Sequence, residues 1–304
     1  MPYIICIHLP FQGKVCPPHV IVIFVSDNTI ILYDKTKRTM TEQIIKGHQL
    51  LNIISVPAFL LLLLLPLKAT DGDSYQIRIY RLDHTGQENR MESYLKEAFI
   101  PALHRSGIEQ VGVFKPLDPD GENGRYIMVL IPFHSLKEFR ELPVLLAKDL
   151  SYQKAAAAYL EAAHDDPPYS RMESILLSAF SVMPRLEKPG LETPPARRVY
   201  ELRSYQGPTE RLFQRKVEMF NEGEAALFMR LGFNPVFFGE VISGPHMPNL
   251  MYMTTFENET SRQEHWKSFR EHPDWLSIKD LPRYRNTVSH ISIYLIHPTG
   301  YSDL

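Results

Sequence analysis

Cysteine is almost missing from this chain: there are two in 304 residues, Cys6 and Cys16, both near the N-terminus. They match no CxxC-type zinc spacing and supply no disulfide framework. Excess positive charge is missing as well. With 33 Lys+Arg against 35 Asp+Glu and a formal net charge of −2, nothing is available to neutralise a row of phosphates, which argues against nucleic acid as a partner. No HExxH, GxSxG, GxxxxGK[ST] or GxGxxG occurs, and no EF-hand loop. The common metalloprotease, hydrolase, P-loop, dinucleotide and calcium-sensor readings therefore fall away. The histidines downstream form no ligand set. His104, near a helix end, reads as a cation favoured by the helix dipole rather than as a haem ligand, and His265 and His272 read as solvated helix surface. No metal and no cofactor are expected, with haem left open.

What is present begins with a composition of 44% hydrophobic and 22% charged residues, enough for one large or two modest packed domains. The uncharged run LLNIISVPAFLLLLLLPL at 50–67 follows Lys46 and precedes KATDGD. These are the parts of a secretory signal peptide, with cleavage expected after Ala69, and an uncleaved anchor is the alternative. No cysteine follows the run, so a lipid anchor on cysteine is excluded. Met40 would open a signal of ordinary length at 40–69, which makes residues 1–39 a mis-assigned start or an extension. Their strand-like text, VIVIFV and TIILY, has no partner in the rest of the pattern. The expected destination is the periplasm or the exterior, with no membrane contact after cleavage.

The remainder is written twice. YQIRIY at 75–80 returns as YELRSY at 200–205, and HRSGIEQVGVF at 104–114 returns as MRLGFNPVFFG at 229–239. RYIMVLIPF, ending at Phe133, returns as NLMYMTTFE through Phe256, and Tyr152 returns as Trp275. Landmarks in one order at a near-constant offset mark an internal repeat. Each copy reads as strand, helix ending on glycine, two strands joined by turn signals, helix and closing strand. That β-α-β-β-α-β order is the ferredoxin-like motif. The expected organisation is one unit at 70–182, a Pro-rich linker at 183–198 and a second unit at 199–304.

A four-stranded sheet with both helices on one face leaves the other bare, and two such sheets face to face would cover each other around a barrel-like interior. Alternation puts Tyr75, Ile77 and Ile79 on one side of the first strand and Gln76, Arg78 and Tyr80 on the other. The second copy sets Tyr200, Leu202 and Ser204 against Glu201, Arg203 and Tyr205. The more apolar sides are expected to meet the helices, sending an Arg and a Tyr from each copy into the barrel.

VYELRSYQG, the long MFNEGEAALFMRLGFNPVFFGEVISGPHMPNLMYMTTFE, HWKSFREHPDW and the terminal HPTGYSDL resemble the NIPSNAP family in its tandem, exported bacterial form, over about residues 75–304. The second unit carries the resemblance best; YQIRIYRLD and AFIPALHRSGIEQVGVF carry it in the first. It implies an α+β fold: two tandem ferredoxin-like units forming an intramolecular dimeric α+β barrel. It implies no defined reaction. Relatives of the barrel include cofactor-free monooxygenases, haem-degrading enzymes and small isomerases, an analogy of fold alone.

The candidate ligand-binding residues are Arg78, Tyr80, Arg203, Tyr205, Glu240 and Tyr252. Guanidinium groups hold carboxylates in two-pronged fashion, and Tyr hydroxyls orient a bound oxygen. The competing reading is a structural ion pair in which Glu240 answers Arg203. Glu240 shares a strand face with Phe238, where burial would suit it to general-base work. Glu218 and Glu222, four apart on a helix, read as a solvated face, with a divalent ion as the minor alternative. The functional expectation is a small-molecule-binding barrel, with a cofactor-free enzyme on an aromatic or acidic metabolite as its sharper form and self-association left open. The rival is a non-enzymatic interaction or scaffold module whose barrel interior is core.

Overall fold

The computed structural model describes residues 72–304 apart from Glu122, together with the backbone of short strands between residues 10 and 44. In the N-terminal unit, Val20–Ser26 pairs antiparallel with Thr29–Asp34, which pairs in turn with Thr39–Ile44. The two strand-like runs that lacked a partner thus find each other. The uncharged run at 50–67 and the cleavage expected after Ala69 lie outside the described residues.

The second unit, Asp71–Leu304, opens on β1 (Ser74–Arg81). His84 then caps α1 (Thr85–Tyr94) by accepting from the Gln87 N–H, which satisfies one of the free donors of the first turn. The helix runs on through a π-helical turn, Leu95–Phe99, into α2 (Ile100–Arg105). It stops at Gly107, whose φ of 82° is the left-handed conformation that closes helices and that glycine adopts freely. β2 (Gly112–Pro116), β3 (Tyr126–Phe133), α3 (Leu136–Lys148), α4 (Leu150–Ala155), α5 (Ala157–Leu160) and β4 (Arg171–Ala179) follow.

The same order then recurs. β5 (Val199–Gln206) leads to α6 (Glu210–Met219), a π-helical turn at Phe220–Glu224 and α7 (Ala225–Arg230), with Gly232 at φ 76°. β6 (Pro235–Ser243), β7 (Asn249–Phe256), α8 (Glu259–Glu271), α9 (Pro273–Lys279) and β8 (His290–Pro298) complete it.

The eight strands close into one barrel in the order β5-β7-β6-β4-β1-β3-β2-β8. β4-β1-β3-β2 come from the first half and β8-β5-β7-β6 from the second. The halves are joined at two antiparallel seams: Gly239 opposite Ala179 between β6 and β4, and Ile296 opposite Pro116 between β8 and β2.

The faces of the sheet are the reverse of the sequence expectation. Tyr75, Ile77, Phe114, Tyr200, Leu202 and Phe237 are fully buried together inside the barrel. Each inner tyrosine packs on a phenylalanine of the other half, Tyr75 on Phe237 at 5.0 Å and Tyr200 on Phe114 at 4.9 Å between ring centres. Tyr80 packs instead with the helical residues Tyr94 and Phe99, and Tyr205 with Phe213 and Phe220. Arg78, Tyr80, Arg203 and Tyr205 therefore lie between sheet and helices rather than in the barrel. The reason is enclosure. An eight-stranded barrel is just wide enough to be filled by side chains and seals its interior completely, so the most apolar faces turn inward. The helix layer has an open rim, where long side chains can bury their stems and keep their polar ends near water.

Candidate functional site

Two helix-covered layers remain as candidates, built on equivalent positions. On β5, Glu201, Arg203 and Tyr205 point toward the helices; on β1, the same register holds Gln76, Arg78 and Tyr80. Arg203 sits opposite Tyr252 on β7, and Arg78 opposite Val129 on β3. Lys216 and Met91 each lie four residues before a π-helical turn, and Glu224 and Phe99 each end one.

In the second half the polar groups answer one another. Glu201, fully buried, accepts from Arg203 Nε at 2.5 Å, Arg262 Nη1 at 3.0 Å and Trp266 Nε1 at 2.7 Å. The Arg203 guanidinium lies 3.7 Å from the centre of the Trp266 ring, a stacked cation–π contact. Its Nη1 donates to Tyr205 Oη at 3.3 Å, and Tyr205 Oη is 2.8 Å from Tyr252 Oη. Below them Lys216 Nζ donates to Glu224 Oε2 at 2.6 Å, both residues buried. Burial pushes the Glu224 carboxyl above its ordinary range against the pull of Lys216 and Arg203, and burial holds the Tyr252 hydroxyl far above its own.

Glu240 is not part of this network. It stands half-exposed on β6 and accepts from Gln214 Nε2 at 2.9 Å, so the ion-pair reading of Arg203 holds with a different partner, Glu201. Glu222 is answered by Arg283 at 2.7 Å and by the Tyr284 hydroxyl at 2.6 Å, and Glu218 by Arg215. His272 caps α9 through Nδ1, and His265 packs edge-on against Phe233; neither is free helix surface.

The first half differs at the decisive positions. Gln76 replaces the carboxylate, accepting from Arg78 Nε at 3.0 Å and donating to Ser174 Oγ at 2.7 Å. Among the described residues no carboxylate lies within ion-pair distance of Arg78. Its guanidinium rests 4.9 Å from the centre of the Phe99 ring. The Tyr80 hydroxyl is buried and has no hydrogen-bond partner among the described residues. The hydroxyls of Tyr94 and Tyr152 are 3.0 Å apart. Burial raises the ionisation of Tyr94, Tyr152 and Tyr159 above the ordinary range, so all three stay protonated and can hydrogen-bond an anion. Tyr80, Tyr94 and Tyr159 lie close enough to Arg78 to act on its charge. A groove of about 320 Å³ opens beside Tyr94 and Tyr159, lined also by Asn89, Arg90, Ser93, Glu97 and Ala155; Arg78 and Tyr80 are not part of its lining.

The NIPSNAP family model matches residues 200–303. The second half, about a third of the chain, is thus similar to the NIPSNAP family. The matched stretch contains the whole Glu201–Arg203–Tyr205 network. No curated protein matches the sequence. Among solved structures, a candidate monooxygenase from Lactobacillus acidophilus NCFM is similar over 75% of this chain and 94% of its own, with a TM-score of 0.51 and 9% identity. At that identity the likeness is one of fold alone, an eight-stranded closed barrel with helices packed on it. An anthrone oxidase-like protein covers 75% of this chain and 92% of its own at a TM-score of 0.45 and 10% identity. A NIPSNAP family protein from Agrobacterium tumefaciens str. C58 is 18% identical over 35% of this chain and 98% of its own, with a TM-score of 0.32.

The sequence reading brought forward Arg78, Tyr80, Arg203, Tyr205 and Tyr252, and the structure groups the first two in one layer and the other three in the second. It missed Gln76 and Glu201 as the residues that set the charge of each layer, though each lies two positions from its arginine. It also missed Lys216 and Glu224. Eight residues fall about 80° apart around a regular helix; the π-helical turn between them is what a regular helical reading leaves out.

Proposed function

We propose that this protein binds a small acidic metabolite in the helix-covered layer of its first half, with Arg78 as the anchor. A single observation carries the reading: Arg78 is a largely covered guanidinium without a carboxylate partner among the described residues, whereas the equivalent Arg203 has Glu201 at 2.5 Å. Covered charges are normally paired. The second half demonstrates that a carboxylate fits at this position of the fold, so its replacement by Gln76 leaves the cation for something else. The groove beside Tyr94 and Tyr159 supplies room, and the unpartnered Tyr80 hydroxyl supplies a further hydrogen bond. A scaffold would have no use for either.

The repetition of β-α-β-β-α-β order, the paired π-helical turns and the two-seam closure support a finer reading of the fold, as two tandem ferredoxin-like units acting as an internal dimer. Only one of the two is then free for a ligand. The uncharged run at 50–67 supports export as the setting.

The test is isothermal titration of the full chain with benzoate, comparing wild type with Gln76→Glu. The variant supplies Arg78 with the counter-ion that Arg203 already has. Binding of one benzoate by wild type and none by the variant is the expected result; equal binding by both would remove Arg78 from the site.

A further inference from the structure

We infer that the acid taken by the Arg78 layer is aromatic, and that Tyr159 is a resident ring occupying the ligand's place. The inference rests on the reading of Arg78 as an anion anchor and adds the class of the ligand and the residue that selects it.

Three observations meet at Tyr159. Its ring lies parallel to Tyr94, with centres 3.6 Å apart and planes 6° apart, the closest ring pair among the described residues. Its hydroxyl lies within electrostatic reach of Arg78. And it lines the groove while packing, partly buried, against the core of the first half. A ring stacked on Tyr94 is the pose that a bound aromatic acid would take, with its carboxylate reaching the two Nη groups of Arg78, whose Nε is committed to Gln76.

The element that carries Tyr159 is poorly held. α5 has four residues, no side-chain cap at its N-terminus and no buried residue. It starts after a break at Ala156 within the text AAAAYL, and the neighbouring Leu160 is 46% exposed. Beyond it the chain is tied back by the exposed pair Arg90–Asp166 at 2.9 Å and by Gln87 Nε2 to the Pro167 carbonyl at 3.1 Å. The Tyr159 hydroxyl makes no hydrogen bond of ordinary geometry among the described residues. Its ring also meets that of Tyr169, 6.1 Å away between centres, and the stack on Tyr94 is the contact an incoming ring replaces in kind.

The second half shows the contrast. There Tyr284, 125 positions after Tyr159, is buried and donates to Glu222 at 2.6 Å, and Arg283 adds an ion pair to the same carboxylate at 2.7 Å. That ring is locked where Tyr159 is not. With Glu201 filling the anion position and Tyr284 fixed, the second layer is closed on both counts.

The test is calorimetric titration of the full chain with benzoate and, separately, with cyclohexanecarboxylate, which has the same charge but no π face. The proteins are wild type, Tyr159→Ala, Tyr159→Leu and Arg78→Met, each checked for native far-UV circular dichroism. Wild type is expected to take benzoate in preference to cyclohexanecarboxylate. Removing the resident ring is expected to tighten benzoate binding roughly three- to tenfold, the equilibrium worth of one aromatic pair. Tyr159→Leu should show the same gain while filling more of the volume, which protects the result against a collapsed groove in the alanine variant. Equal binding of the two acids, or unchanged or weaker benzoate binding in both Tyr159 variants, overturns the inference while leaving the anion site standing. Benzoate binding that survives Arg78→Met, or its absence from wild type and every variant, overturns the Arg78 reading and this inference with it.

Discussion

Gln76 and Glu201 occupy the same register position on the first strand of each half, and between them they decide whether the neighbouring arginine is paired. Glu201 accepts from Arg203, Arg262 and Trp266; Gln76 accepts from Arg78 alone and passes its amide to Ser174. Removing one partner of a covered ion pair strands the other, at a typical cost of about 3–5 kcal/mol. Glu201→Gln is expected toward the lower end, because Arg203 and Arg262 keep 14% and 17% of their side-chain surface. Urea denaturation of the variant measures it. A loss under about 1 kcal/mol would mean that the network contributes little net stability.

The inner tyrosines give a prediction of opposite sign. Tyr75 and Tyr200 are fully buried in the barrel, and neither hydroxyl has a partner among the described residues. A buried hydroxyl without a bond loses its hydration with no return, a penalty of about 1–3 kcal/mol. Tyr75→Phe and Tyr200→Phe keep the contacts to Phe237 and Phe114 and remove the oxygen. Both are expected to leave the denaturation midpoint unchanged or raise it. A fall in both would mean that each oxygen is bonded in solution.

Much of this architecture was legible because the repeat exposes it. Two strands spelled alike, two glycines at matching helix ends and two closing strands give the element order by simple comparison. The direction of the faces was not legible. Tyr75, Ile77 and Ile79 are the apolar side of β1, and a pattern of apolar and polar positions cannot say which of two dry environments receives them. That choice is made by closure of the barrel, through pairings such as Gly239 with Ala179 between strands far apart in sequence. The candidate site was legible by residue type and misplaced by layer for the same reason. Tyr159, in a run of alanines, carried no signal at all.

The Lys216–Glu224 pair can be judged against the chain's own alternative, since the first half packs Met91 and Phe99 at those positions. Replacing a buried ion pair by apolar groups of suitable size is often neutral or stabilising by about 1–4 kcal/mol. The double variant Lys216→Met with Glu224→Phe is therefore expected to fold with stability equal to or above wild type. Either single change should destabilise. A double-mutant cycle by urea denaturation reads the coupling, and a double variant less stable than both singles would show that the two halves are not interchangeable at this point.

Glu224 also sets a dependence on pH. Burial raises its folded-state ionisation above the ordinary 4.5, and Lys216 opposes that rise. Between 4.5 and the raised value the folded protein holds a proton that the unfolded chain has released, so this group's contribution is complete below 4.5 and is lost as pH climbs through the window. Lys216→Met removes the opposing charge and pushes the upper edge of the window higher, each additional pKa unit being worth about 1.4 kcal/mol. The destabilisation caused by Lys216→Met should accordingly be larger at pH 8 than at pH 5, where a protonated Glu224 tolerates the loss of its partner. Urea titrations at the two pH values give the comparison. A penalty that is the same at both would mean that Glu224 finds another cation when Lys216 is gone, and Arg203, which also lowers its ionisation, is the group within reach.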